Sequence, residues 1–203
     1  MNIFQILAIC GMLSPILYTV MWILGGVLRP EYSHIRDDVS SLLAIGAPKK
    51  RTFDIFLISS SVLLLLFYLG LPWGINNGQI LIVGPILFII SGFMGVLVAF
   101  FFPLDAGGEI TTYRGKMHLI LVFTSGVLTF VGMVALWFGL AGVAEWSAFA
   151  TYSLISAIVA LVLMIISGIF MKSKYRGLLE RFGVSIFMIY YFVLALRVFL
   201  TNL

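Results

Sequence analysis

The chain has 203 residues, of which 62% are apolar and 10% charged, with a formal net charge of +4. An ordinary soluble domain is about 25% charged, and a globule this poor in charge would expose large apolar patches to water. The composition therefore excludes a soluble enzyme, a disordered tail and a nucleic-acid module, and leaves room for about six membrane spans at roughly 20 residues each.

The first predicted span covers residues 3–28 and contains Cys10, the only cysteine, which reads as a small packed residue and excludes an intrachain disulfide. No Lys or Arg precedes this span and no small-residue cleavage pattern follows it, so it reads as a span rather than a signal peptide. Arg29 and Pro30 end it at headgroup level. Arg29 there either anchors the helix end or clamps a lipid phosphate. In the first connection Ile35, Val39, Leu42 and Leu43 fall at helical spacing. Ser33 suits an N-cap, Asp37 and Asp38 the positive end, Gly46 the C′ position and Pro48 the stop. This predicts a short amphipathic helix at the membrane surface, its polar face carrying Asp37, Ser40 and Ser41.

The second span covers residues 53–73. Asp54 in its first turn either complements the helix dipole or faces inward to join a polar cluster. The run Ser59-Ser60-Ser61 either packs or donates to a ligand. A tight connection at 74–78 leads to the third span, 79–102, where Ser91, Gly92 and Gly95 mark a close helix approach. Pro103 ends it and Gly107-Gly108 makes a turn. Asp105 then emerges close to where Arg114 and His118 re-enter, serving as cap, ion-pair partner or catalytic acid. The fourth span, 118–142, starts at His118, either a hydrogen-bonded interface residue or a functional base. Gly126 in the fourth span, and Ser156 and Gly168 in the fifth, 147–171, are further small residues expected at helix contacts. The fifth connection, 172–183, is basic with apolar residues interleaved and is expected on anionic headgroups. The sixth span covers 184–200.

Every basic residue except Arg197 lies in the first, third or fifth connection. The positive-inside rule puts these connections in the cytoplasm and both termini outside, with Trp73, Trp137 and Trp146 near the outer interface. The short outer connections, 74–78 and 143–146, make the helices they join antiparallel neighbours. Glu145 and Arg197, the only charges on the outer side, are expected within about 8 Å of each other, the reach of a water bridge.

The inventory excludes several chemistries. No Lys lies mid-span for a Schiff base. Two histidines, His34 and His118, cannot build a three-histidine zinc site or ligate two b-type haems. No Walker motif or GxGxxG is present, and no acid lies at mid-membrane depth to couple protons. No metal or cofactor is expected.

Three strings carry a resemblance. Arg29-Pro30-Glu31-Tyr32-Ser33, with Asp37, Val39-Ser40, Leu42 and Gly46-Ala47-Pro48, resembles the first signature of the integral-membrane family catalogued as domain of unknown function 998. Phe102-Pro103-Leu104-Asp105, with Gly107-Gly108-Glu109, Gly115 and His118, is similar to its second. Glu180-Arg181 with Gly183 is similar to its third. The resemblance covers essentially the whole chain. It implies a multi-pass protein of a prokaryotic plasma membrane and no established reaction. At fold level the chain is also similar to six-helix proteins of the Frag1/DRAM type.

The expected architecture is thus all-α, a single six-helix transmembrane bundle with an interfacial helix in its first connection. Its expected role is to bind a lipid, an isoprenoid or another amphipathic small molecule at a polar site on the cytoplasmic membrane surface. Arg29, Arg114 and Arg181 would hold an anionic group; Asp37, Ser40, Ser41, Asp54, Asp105 and His118 complete the candidate ligand-binding set. One alternative is a lipid hydrolase or transferase with Ser40 (or Ser41) as nucleophile, His118 as base and Asp105 or Asp37 as orienting acid. Another is a structural or assembly subunit, acting as a homo-oligomer or with another membrane protein. No nucleic-acid partner is expected.

Overall fold

The computed structural model describes residues 1–75, 81–108 and 110–203. Among these, regular structure is entirely helical: α1 (Ile3–Leu28), α2 (Lys50–Gly74), α3 (Val83–Phe101), α4 (Tyr113–Leu140), α5 (Ser147–Ile169) and α6 (Arg176–Thr201), with short 3-10 turns at Val39–Leu42, Ala106–Gly108 and Ala144–Trp146. All six α-helices are long and apolar enough to cross a membrane. The expected third-span start at Gln79 and the motif residue Glu109 lie outside the described residues.

Each helix packs on its neighbours in sequence, and α6 returns to α1, so the six close into a ring. Asn2 begins α1 with a capping box: its side chain accepts from the Gln5 backbone at 3.0 Å and the Gln5 side chain accepts from the Asn2 backbone at 2.8 Å. Asn2 also donates to the Asn202 carbonyl at 3.0 Å, and Asn202 to the Gly74 carbonyl at 2.8 Å, so the two chain ends meet beside the end of α2.

The ring is filled by aromatic side chains. Tyr68 stacks on Phe88 with centroids 5.3 Å apart and meets Tyr191 edge-on at 5.8 Å, both favourable quadrupole geometries. Hydroxyls join the helices where lipid offers no partner. Ser14 donates to the Ser60 carbonyl at 2.8 Å and Ser60 to the Ser14 carbonyl at 3.0 Å; Ser153 donates to the Met133 carbonyl at 2.9 Å. Ser60, the middle of the serine run, is thus a helix-to-helix tie. Gly92 lies under the Tyr68 ring, but Gly95 and Gly168 face open space, and a Cβ on Gly126 would meet only Met164, at 3.9 Å. These three glycines do not sit at the close helix approaches expected of them.

Trp146 is fully buried, edge-on to Phe149 at 5.7 Å and under the Arg197 guanidinium at 5.3 Å. The same guanidinium bonds the Glu145 carbonyl and lies 4.0 Å from its carboxylate, so the expected pair forms. The expected amphipathic helix over 33–48 is instead an irregular segment with one 3-10 turn. Its backbone groups bond elsewhere. The Ile35 carbonyl accepts from Leu178 N at 3.1 Å, and Val39 N donates to the Glu180 carboxylate at 2.7 Å. Tertiary bonds replace helical ones, and Val39, Leu42 and Leu43 are buried with Met21, Tyr32 and Phe53. Gly46 keeps its expected left-handed conformation, φ 76°.

Candidate functional site

The three signature strings meet at one end of the bundle, the end that carries the basic connections. The reason is the N-terminal extension of α6, which begins at Arg176 rather than at residue 184. A charged, partly apolar stretch continues the helix there because the first connection covers it.

Arg181 is the centre of that contact and is only 5% exposed. Its Nη1 donates to the carbonyls of His34 (2.8 Å), Asp37 (2.9 Å) and Gly177 (2.7 Å), and its Nη2 to the Tyr32 hydroxyl. The guanidinium also lies 5.6 Å from the Trp22 ring and 5.3 Å from the Tyr32 ring. Gly177 is obligatory here, because a Cβ would run into the Asp37 backbone. Arg176 adds an Nε hydrogen bond to the Arg36 carbonyl at 3.1 Å and an ion pair of 3.0 Å with the Asp38 carboxylate. Burial raises the Asp38 carboxyl above its ordinary range even with Arg176 beside it.

The second string supports the same connection from below. Ile45 N donates to the Leu104 carbonyl at 3.0 Å. The Asp105 carboxylate accepts from Thr112 Oγ1 (2.6 Å), Thr112 N (2.8 Å) and Thr111 N (3.0 Å), which holds its carboxyl below the usual range. These bonds tether the start of α4, where Thr112 caps Gly115 N at 3.2 Å. Gly115 must lack a side chain, because a Cβ would overlap the Asp105 carboxylate.

His118, 7% exposed, places Nε2 3.2 Å from Ser40 Oγ and Nδ1 2.7 Å from the Phe102 carbonyl. A carbonyl only accepts, so Nδ1 carries the proton, and in the neutral ring Nε2 accepts from the serine. The expected Ser40 and His118 therefore meet across 78 residues of chain. Asp105 does not join them; the Phe102 carbonyl orients the ring instead, because the Asp105 oxygens are taken by the two threonines.

Beside this framework lies a cavity of about 340 Å³, lined by Arg29, Glu31, Tyr32, Asp37, Ser41 and Arg176, the segment 44–48, and Gly107. Arg29 Nε bonds Glu31 at 2.8 Å and its Nη1 reaches the Ser41 carbonyl at 3.4 Å. The Arg29 guanidinium holds the Glu31 carboxyl below its usual range. Arg176, which lines the cavity, bonds the protein through Nε alone among the described residues, so its two terminal nitrogens make no hydrogen bond to them.

Of the candidate ligand-binding residues, Arg29, Asp37 and Ser41 line this cavity. Ser40, His118 and Asp105 stand next to its wall but not on it. Arg181 is turned into the first connection, where carbonyls take Nη1 and the Tyr32 hydroxyl takes Nη2, and so is no part of a basic rim. Asp54 pairs with Lys50 at 2.6 Å on its own helix instead of joining the cluster, and Arg114 is exposed. Arg176 was missed: nothing local marks it, and only the packing of α6 brings it to the cavity. Glu31, Gly46, Ala47 and Pro48 were in the quoted signature, which was the available signal.

A family model described as protein of unknown function (DUF998) matches residues 12–197. No curated protein and no solved structure matches the chain.

Proposed function

Since the chain belongs to the DUF998 family of membrane proteins, whose name assigns no reaction, we propose from its site that it binds the anionic headgroup of an amphipathic molecule, a membrane lipid or isoprenoid phosphate. The observation that carries this reading is the pairing of Arg29 and Arg176 on one cavity wall. The terminal nitrogens of Arg176 have the fork geometry that grips phosphate oxygens, and Arg29 lines the same cavity. Val27, exposed two residues before Arg29, offers apolar surface where an acyl chain would leave the headgroup. In this reading the basic end lies in the cytoplasm, as the positive-inside rule requires, and the bundle resides in the plasma membrane.

The test is retention of dioleoyl phosphatidate by the purified protein in mild detergent, followed by native mass spectrometry. Wild type should hold it against diluted detergent. Arg29→Gln with Arg176→Gln should lower the bound fraction about tenfold or more, the loss of charge-assisted bonds. Equal retention by the double variant would remove the reading.

A second reading, a lipid hydrolase or transferase, rests on the Ser40 Oγ to His118 Nε2 contact of 3.2 Å. The imidazole has the tautomer that a general base needs. Against it, neither residue lines the cavity, and a tether between the first connection and α4 accounts for the bond. On the tether reading, Ser40→Ala lowers the melting temperature by a few degrees, about 1 kcal/mol for one lost hydrogen bond, and abolishes no turnover. Ester cleavage of a phospholipid panel that disappears in Ser40→Ala would establish the enzyme instead.

A further inference from the structure

The cavity that the proposed function assigns to an anion is not a simple anion site. Among the described residues its lining brings two guanidiniums, Arg29 and Arg176, together with two carboxylates, Glu31 and Asp37. A site for phosphate alone gains nothing from two acids at its wall, which repel the ligand. Asp37 is not consumed by the fold. Its Oδ2 accepts from Ser33 N at 2.7 Å and lies 3.9 Å from the Arg36 guanidinium, while Oδ1 takes no hydrogen bond among the described residues. Glu31 engages Arg29 through Oε1 alone.

We infer that the ligand head is zwitterionic, a phosphate ester bearing a primary amine, with the phosphate on Arg29 and Arg176 and the ammonium on Asp37 and Glu31. This rests on the headgroup reading above and names its class. A primary ammonium carries three N–H donors for the free carboxylate oxygens. A quaternary ammonium carries none and needs an aromatic cage. Among the described residues Tyr32 is the one aromatic residue on the wall, and its ring is already engaged by Arg29 at 5.8 Å and Arg181 at 5.3 Å. The lining therefore favours a primary over a trimethylated amine. It also favours either arrangement of matched charge over a plain anion such as a glycerol phosphodiester.

The experiment compares dioleoyl lipids that differ only in head, phosphatidylethanolamine, phosphatidylcholine, phosphatidylglycerol and phosphatidate, in competition for the wild-type protein in mild detergent. Phosphatidylethanolamine should outcompete phosphatidylcholine and phosphatidylglycerol about tenfold, the worth of one charge-assisted hydrogen bond. In Asp37→Asn, and separately in the exposed Glu31→Gln, that ratio should fall toward one. O-phosphoethanolamine without acyl chains should displace the lipid only at far higher concentration; displacement at equal concentration keeps the amine subsite and assigns it a soluble ligand. If phosphatidate is retained in an arginine-dependent way but the ethanolamine head has no advantage, the amine subsite is wrong and the anion site stands. If no head is retained at all, both fall.

Discussion

Replacing Arg181 with Met lowers the melting temperature of the detergent-solubilised protein by about 10 °C, the largest effect expected of any single charged residue here. The guanidinium satisfies the carbonyls of His34, Asp37 and Gly177 and the Tyr32 hydroxyl at once, in a site almost closed to solvent. Met fills much of the volume but leaves the His34 and Asp37 carbonyls without this donor. Each stranded carbonyl costs about 1–3 kcal/mol; with partial relaxation the sum is on the order of 3–5 kcal/mol. Arg181→Lys does not rescue it, since an ammonium lacks the planar fork that reaches several acceptors from fixed directions. The residues released are those of the first connection, so limited proteolysis should cut between residues 33 and 48 in the variant and not in wild type. A variant that melts with wild type and resists cleavage there would show that the first connection is held by its apolar residues alone.

Gly115→Val is expected to loosen the opposite support of the same cap. A Cβ at this position overlaps the Asp105 carboxylate, and that carboxylate cannot retreat, because the Thr111 and Thr112 amides and the Thr112 hydroxyl hold it. Overpacking of this kind costs about 1–3 kcal/mol and should appear as a lower melting temperature. The same geometry fixes the sign of an acid effect. Hydrogen bonding from Thr112 leads the causes that hold the Asp105 carboxyl below its ordinary value of 3.8. Its stabilisation is thus fully present above the unfolded pKa and disappears as pH falls through the lower folded value. Wild type should lose stability on acidification below about pH 4, and Asp105→Asn should lose less over that interval. Parallel acid curves for the two proteins would deny Asp105 its part in holding α4.

The proposed headgroup site sits where three stretches far apart in the chain are made to agree. Arg29, Ser41 and the 44–48 backbone come from the first connection, Gly107 from the third and Arg176 from the fifth. The buried Arg181 and the tethered Asp105 hold the segments around the cavity without lining it. This division explains why charged residues drawn from the same signature strings have such different surroundings: one set is spent on backbone carbonyls and amides, and the other is left open.

The apolar runs and the charge sorting were enough to read six spans and the concentration of polar sequence at one end, because lipid demands helices and every run announces its own length. Boundaries were less legible. Tyr113 to Met117 and Arg176 to Gly183 look polar, yet both continue helices, since Thr112 caps one and the first connection covers the other. The periodicity of Ile35, Val39, Leu42 and Leu43 was real, and three of these four are buried, but the burial is achieved without an α-helix. Periodic spacing reports which side chains want to leave water; it does not say which acceptors their backbone will find, and here Glu180 and Arg181 outbid the local helix. The choice between rim and clamp for Arg181, and between wall and surface for Arg176, likewise depends on which carbonyls lie within about 3 Å. Composition and pattern are local and additive, so a single chain displays them. The partner of a given guanidinium is a property of how α6 packs against the first connection, and only the folded arrangement supplies it.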